Sequence, residues 1–339
     1  MRIRTLGRSG LRVSEICMGA MTFGMPGWGC DEEESLALID RFLEAGGNFI
    51  DTADAYSGTV SEEICGKALK TRPRSAIVLA TKCTMPTGSG PNDRGASRKH
   101  IRDSCDASLR RLGTDYIDLY QIHAEDLWTP LEETLAALDD LVRAGKVLYV
   151  GASNFRAYRL MKALALSDRH GWARFVSLQP QYNLLVRTIE REHFSLAAEE
   201  GVGLITWSPL AAGMLTGKIT RDRKPPESRL AQRDMPFYRL YFSERSFEIV
   251  DVVKECARQA DCTPAQLALA WQLTKPQVTS VIIGARNREQ LDDNLGATGV
   301  TLPDAILARL EEATRIEPEY PASFIDFIQG WLGNRPAAR

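Results

Sequence analysis

No stretch of the 339 residues approaches the roughly 18–20 consecutive apolar residues that a membrane-spanning helix needs. The start, Met1-Arg2-Ile3-Arg4-Thr5, lacks the apolar core of a secretory signal. The seven cysteines, at 17, 30, 65, 83, 105, 256 and 262, are odd in number and scattered, with no C-x-x-C pair. That pattern argues against a zinc site or a disulfide framework and for reduced thiols in a cytoplasmic protein. Cys83 has two readings, a reactive thiol beside Lys82 or a small packing residue. Neither sign of charge dominates: 42 Lys and Arg stand against 44 Asp and Glu, which leaves no basic footprint for nucleic acid. A G-x-G-x-x-G turn opening a helix after a strand is also missing. Gly88-Ser89-Gly90-Pro91 runs into a polar loop, and Gly201-Val202-Gly203 precedes a strand. A membrane, a nucleic acid and a metal are thus not expected as partners, and any dinucleotide must be held without a Rossmann domain.

What is present is ordinary in bulk, 44% hydrophobic and 25% charged, and regular in order. Residues 3–16 read as a hairpin turning at Arg8-Ser9-Gly10. Short apolar runs then alternate with helical patterns. The runs are Cys17–Ala20, Asn48–Ile50, Ile77–Thr81, Tyr116–Ile122, Val147–Val150, Phe175–Leu178, Gly203–Thr206 and Ser280–Ile283. Between them lie helix starts: Asp31 with Glu34 three residues on, a start near Ser61, and Thr129-Pro130-Leu131-Glu132 and Thr263-Pro264-Ala265-Gln266 as capping boxes. Repeated β-α units imply a parallel sheet, and eight imply a closed barrel. The expected fold is α/β: a (β/α)8 TIM barrel over residues 1–316, with an N-terminal β-hairpin, a long loop after strand 7 and an irregular tail over 317–339. That long loop, 208–243, shows no core periodicity and is expected to be a lid. The tail, with Pro318, Pro321, Phe324, Phe327 and Trp331, either reaches the barrel mouth or packs outside.

Three of the runs end in a polar residue. Phe49-Ile50 stops at Asp51, the run through Thr81 meets Lys82, and the run through Ile122 meets His123; Tyr56 follows Asp51 by five residues. A single polar group at a strand end is commonly where the chain meets water. Several on parallel strands face one mouth, where ligands of such folds bind.

The segment Asp51-Thr52-Ala53-Asp54-Ala55-Tyr56, then Lys82, then Ile122-His123, resembles the aldo-keto reductase signature in order and spacing. Gly151-Ala152-Ser153-Asn154-Phe155, Gln179-Pro180-Gln181-Tyr182-Asn183, Trp207-Ser208-Pro209-Leu210 and Ile283-Gly284-Ala285-Arg286 resemble further family segments. The resemblance covers about residues 1–315. Trp207, where many members carry Tyr or Phe, is similar to the branch with potassium-channel β subunits and aryl-alcohol-dehydrogenase-like bacterial reductases. The resemblance implies NADPH/NADP+ as cofactor and a small carbonyl compound as substrate. It implies Asp51, Tyr56, Lys82 and His123 as catalytic residues, with Tyr56, His123 and Trp128 at the substrate. Ala20, Met21 and Asp51 fall at cofactor positions, as do Ser153, Asn154 and Gln179 at the carboxamide and Trp207 against the nicotinamide. Ser208, Leu210, Gly213 and Lys218 match the pyrophosphate loop, and Arg229 a later phosphate contact. Gly284, Arg286, Gln290, Asp293 and Asn294 match the adenosine-phosphate group.

The chemistry fits these residue types. Hydride arriving at a carbonyl carbon leaves charge on oxygen, which an acid must neutralise. A phenol is a weak acid near neutrality, and a lysine cation nearby favours phenolate. Asp51 fixes that lysine by an ion pair, and His123 donates a hydrogen bond to the carbonyl oxygen. Gly284-Ala285-Arg286-Asn287-Arg288 sits after strand 8, where barrels bind phosphate, and reads as a helix start. Two other functions stay open: an NADPH-binding redox-sensing subunit of a larger complex, and a lyase with Lys82 as Schiff base. Met21, Phe23, Trp28, Tyr56 and Trp128 either line an apolar pocket or pack. The identity of the substrate and the oligomeric state are not legible.

Overall fold

The computed structural model describes residues 1–70, 72–226, 228–232, 238 and 241–332. Among the described residues there are ten strands: β1 (Ile3–Thr5), β2 (Arg12–Ser14), β3 (Ile16–Gly19), β4 (Phe49–Asp51), β5 (Val78–Cys83), β6 (Ile117–Ile122), β7 (Val147–Ser153), β8 (Phe175–Gln179), β9 (Gly203–Thr206) and β10 (Val278–Ile283). The last eight close into a barrel in the order β10-β3-β4-β5-β6-β7-β8-β9, each neighbouring pair parallel. This is the (β/α)8 TIM barrel. β1 and β2 pair antiparallel, Ile3 opposite Ser14, as the N-terminal hairpin.

Side chains alternate between the two faces of a strand, and the sequence uses both. Ile16, Met18, Ile50, Leu79, Tyr120 and Ile122 face outward into the large core shared with the helices. Cys17, Phe49, Val78, Ala80, Leu119, Ile205 and Ile282 point into the barrel, where Leu6 and Val13 of the hairpin join them. The hairpin thus plugs the bottom of the barrel. The inward parity continues to the top. Asp51 lies two residues after Phe49, Lys82 two after Ala80, and Gln121 and His123 two and four after Leu119.

Helix starts follow local chemistry. Asp31 accepts the Glu34 amide at the start of Glu32–Glu44, and Thr263 with Gln266 forms a full capping box on Pro264–Leu273. The capping box expected at Thr129 does not form. The helix is Leu131–Arg143 with Pro130 at its cap and no side-chain cap bond. The Thr129 hydroxyl donates to Asp126 at 2.7 Å instead, and Asp126 also accepts the Trp128 and Thr129 amides. A closer carboxylate won the hydroxyl.

One further expectation changes, that of the tail, and the long loop gains detail. The loop after β9 carries a short 3-10 stretch, Ala211–Thr216, and a turn of helix, Arg229–Gln232, before the helix Glu244–Gln259. It buries Met214, Leu215, Ile219, Tyr238 and Tyr241. Met214, Leu215 and Ile219 follow the left-handed turns at Ala211, Ala212, Gly213 and Gly217 rather than a helix period, so no core pattern shows there in the sequence. The tail expected to be irregular contains a helix, Ala322–Trp331, with Pro321 at its cap. Proline is tolerated at a helix start, and Pro321 stands at the start of this one. The expected tail residues 333–339 lie outside the described residues. Among the described residues, no helix is long and apolar enough to cross a membrane, and no cluster of His, Cys, Asp and Glu is arranged to hold a metal ion.

Candidate active site

Lys82 is fully buried at the top of the barrel. Its ammonium donates to Asp51 Oδ2 at 2.5 Å, to the Thr52 carbonyl at 2.8 Å and to the Tyr56 hydroxyl at 3.1 Å. Three donors therefore meet three oxygens, one of them the phenol. Sheet register sets this up. Asp51 pairs with Ala80 across β4 and β5, so Lys82 is the next inward residue beyond it. Tyr56 starts a tight turn in which Ser57 and Gly58 adopt left-handed backbone angles, φ 52° and 63°. The Ser57 hydroxyl donates to the Phe23 carbonyl at 2.7 Å, which pins that turn to the neighbouring mouth loop.

Asp51 is held from its other side. Gln121 and Gln179 donate to Asp51 Oδ1 at 3.0 and 2.8 Å, and Gln179 also donates to Gln121 Oε1 at 3.2 Å. Gln121 was not singled out in the sequence. Its signal is a buried amide inside an apolar strand, on the same face as His123. Gly151 makes room for it, since a Cβ there would lie 2.5 Å from Ser177 Oγ and 3.2 Å from Gln121 Cγ.

The His123 ring meets the Tyr56 ring edge-on, 5.5 Å between centroids. Burial, assisted by the Lys82 charge, pushes its imidazole down to about 3, so it is neutral across the physiological range. Its Nδ1 is buried without a hydrogen-bond partner. Burial works against the Lys82 charge, but Asp51 first and Tyr56 next outweigh it and hold the ammonium above its ordinary value. The Tyr56 phenol is raised by burial, with Lys82 opposing. The sequence reading had the lysine bring the phenol down. The lysine acts in that direction, but desolvation is larger. The resting pair is a neutral phenol beside a cationic ammonium.

Behind this group lies Asp54, fully buried, with neither carboxyl oxygen partnered. Burial and then the nearby Glu62 raise it to about 7. Glu62 itself accepts the Thr81 hydroxyl and Arg111 Nε, both at 2.6 Å. The Cys83 thiol is buried and pushed far up by that burial, which leaves it a packing residue.

The remaining positions form a belt around the mouth. The Ser153 hydroxyl donates to the Gln179 carbonyl at 2.8 Å, and Asn154 Nδ2 donates to the His123 carbonyl at 2.9 Å. Asn154 Oδ1 accepts Trp207 Nε1 at 3.0 Å, which fixes the indole at the end of β9. Ala20 is buried in the turn after β3, and Met21 Sδ lies 3.5 Å from Arg229. Arg229 also stacks on Trp28 at 4.9 Å and on Tyr238 at 5.1 Å. In the loop after β9, Ser208, Ala211, Ala212 and Gly213 have φ of 55°, 50°, 55° and 97°. Left-handed residues in such a run turn backbone N–H groups into a concavity suited to an anion. Tyr241, absent from the sequence reading, anchors this loop. It takes a hydrogen bond from Asn183, which also donates to the Ser208 carbonyl at 2.9 Å. Leu210 is half-buried there, and Lys218 is exposed.

At β10, Gly284 is exposed, and a Cβ on it would meet only Thr22 Cγ2, at 3.9 Å. Arg286 does not open the helix as expected. The helix is Arg288–Gly296, capped by Asn287, because the Asn287 side chain takes the cap. Arg286 sits in the turn before it, its amide on Gln290 Oε1 at 3.1 Å. Asn294 donates to the Gly284 carbonyl at 3.3 Å, whereas Asp293 accepts the Thr263 hydroxyl at 2.9 Å and so faces the neighbouring helix. Of the aromatic set, Phe23 and Trp28 are buried, whereas Trp128 is 95% exposed, on the rim of a 460 Å³ cleft.

Comparison with known proteins gives the same picture. The aldo/keto reductase family model matches residues 15–315. Versiconal hemiacetal acetate reductase of Aspergillus parasiticus is 38% identical over 92% of this chain and 96% of its own. A protein of Arabidopsis thaliana named "Probable voltage-gated potassium channel subunit beta" is 36% identical over 96% of this chain and 100% of its own. An uncharacterized oxidoreductase of Bacillus subtilis is 38% identical over 92% and 95%. With a barrel of this topology, polar groups of this kind at its mouth and a family match along most of its length, the chain belongs to the aldo/keto reductase family.

Proposed function

We propose that this protein reduces an aldehyde or ketone to an alcohol with NADPH, Tyr56 supplying the proton. The observation that carries the reading is the Lys82 ammonium, sealed from water and bonded at once to Asp51 and to the Tyr56 hydroxyl. A substrate oxygen lying between Tyr56 and His123 would meet two donors, the phenol and one N–H of a neutral imidazole. Because His123 is neutral, it orients and polarises the carbonyl rather than protonating it. An alkoxide is a stronger base than a phenolate, so the neutral phenol gives up its proton as charge builds on oxygen. Lys82 then offsets the phenolate, and Asp51, Gln121 and Gln179 keep Lys82 from following it.

NADPH, when bound, supplies the hydride. The residues fit such a group. Ala20, Met21, Asp51, Ser153, Asn154, Gln179 and Trp207 ring the mouth near Lys82. Ser208, Leu210, Gly213, Lys218 and Arg229 belong to the loop with left-handed turns and to its strap. Gly284, Arg286, Gln290 and Asn294 surround the open turn after β10, with Asp293 behind them. The test is NADPH oxidation at 340 nm against a panel of aldehydes, ketones and sugars. Turnover with at least one carbonyl class, and none without a carbonyl, is expected; no oxidation across the panel contradicts the reading.

The similarity to a channel β subunit favours a second reading, a subunit that senses the NADPH/NADP+ ratio. The same assay separates the two. An enzyme gives many turnovers per protein molecule, whereas a sensor gives one stoichiometric burst and keeps its NADP+ through gel filtration.

A further inference from the structure

The 460 Å³ cleft lies between the loops after β5 and β6, the strands that lead to Lys82 and His123, in the size range of small-molecule sites. Its seam with the catalytic floor is short. The His123 amide bonds to the Cys83 carbonyl at 2.9 Å, so Thr84 and Ala124, the next residues on each strand, begin the cleft side by side.

Thr84 is strained. Its φ is 99°, a region that a β-branched residue rarely enters. Its hydroxyl is buried without a hydrogen-bond partner, although the residue lines the cleft. Strain of this kind persists where the surroundings impose it, commonly at ligand sites. The walls add apolar surface open to water: Met85 is 40% and Trp128 95% exposed.

Charge decides the chemistry. The cleft holds two carboxylates and one guanidinium. Glu125 is paired with Arg156 at 2.7 Å and Arg159 at 2.9 Å. Asp126 accepts the Ala96 amide at 2.8 Å and the Thr129 hydroxyl at 2.7 Å. Arg94 is exposed and, among the described residues, has no ion pair or hydrogen bond from its side chain. Both acids are answered within the fold, and the one cation is not.

We infer that this cleft binds the part of the substrate remote from the carbonyl, and that it selects a planar, ring-bearing carbonyl compound with a carboxylate at its far end. The ring lies against Met85 and Trp128, and Arg94 takes the carboxylate. The inference rests on the proposed reduction and names its substrate class.

The test compares 4-carboxybenzaldehyde with its methyl ester, the same skeleton with the charge removed. Wild type should show the lower KM for the acid. Arg94→Ala should raise that KM about tenfold, the low end for a charged hydrogen bond because the site is open to water. Its kcat, and both constants for the ester, should stay unchanged. Arg94 has no internal partner, so the variant's fold is not at risk. Equal KM values for acid and ester in both proteins overturn the inference and leave the reductase reading standing. If neither aldehyde is turned over, the reductase reading is judged by the full carbonyl panel, and the cleft by binding of 4-(hydroxymethyl)benzoate. Fluorescence quenching that Trp128→Phe removes and Arg94→Ala weakens supports the cleft, and no quenching in wild type overturns it.

Discussion

Asp54 gives a prediction whose size follows from its surroundings. Its carboxyl is fully buried, neither oxygen has a partner, and Glu62 adds like charge, so the group is raised from 3.8 to about 7. The folded state then holds the proton more tightly than the unfolded chain. Between those two values the folded state binds more protons, so stability falls as pH rises. At 1.36 kcal/mol per pKa unit, a rise from 3.8 to about 7 costs about 4 kcal/mol once pH exceeds 7. Asp54→Asn keeps the shape and cannot ionise. It adds a pH-independent cost of about 1–3 kcal/mol for an unsatisfied amide, so the readout is the change with pH rather than the offset. Urea unfolding of both proteins from pH 4 to pH 8 measures it. The variant should gain about 4 kcal/mol relative to wild type between pH 4 and pH 8, most of it below pH 7. A stability difference that stays constant across this range would refute the claim that Asp54 is buried as a neutral acid.

Lys82→Met should abolish turnover and also destabilise the fold by about 3–5 kcal/mol, because Asp51 is left buried without its cation; the pair of assays is NADPH oxidation and urea unfolding. Arg286→Ala should weaken NADPH about ten- to a hundredfold and leave NADH nearly unchanged, read as dissociation constants for both cofactors on both proteins. Tyr241→Phe removes the hydroxyl that takes the Asn183 bond, so cofactor dissociation in stopped flow should accelerate while kcat with saturating cofactor changes little.

Much of the fold was legible because parity and period carry it. The eight apolar runs, the hairpin and the Asp31 and Thr263 helix starts depend on local residue types. The polar strand ends were legible for the same reason: Asp51, Lys82 and His123 interrupt apolar runs. What holds them was not. Gln121 and Gln179 reach Asp51 from 70 and 128 residues away in the chain, and no local pattern reports such a contact. Thr129 misled because capping is a competition, and Asp126 stood closer. The tail helix was missed, although Pro321 stands at its start, where proline is tolerated. The net direction of the Tyr56 phenol was missed because charge is visible in a sequence and desolvation is not.

The most direct measurement is turnover of Tyr56→Phe alongside its affinity for NADPH. The variant keeps the ring that His123 meets at 5.5 Å and removes only the hydroxyl on Lys82. Turnover should fall by at least about 10²–10⁴-fold, the range for losing a general acid, while the NADPH dissociation constant from tryptophan quenching barely moves. A variant that keeps more than about a tenth of wild-type turnover, against that expected loss, would remove Tyr56 from the chemistry.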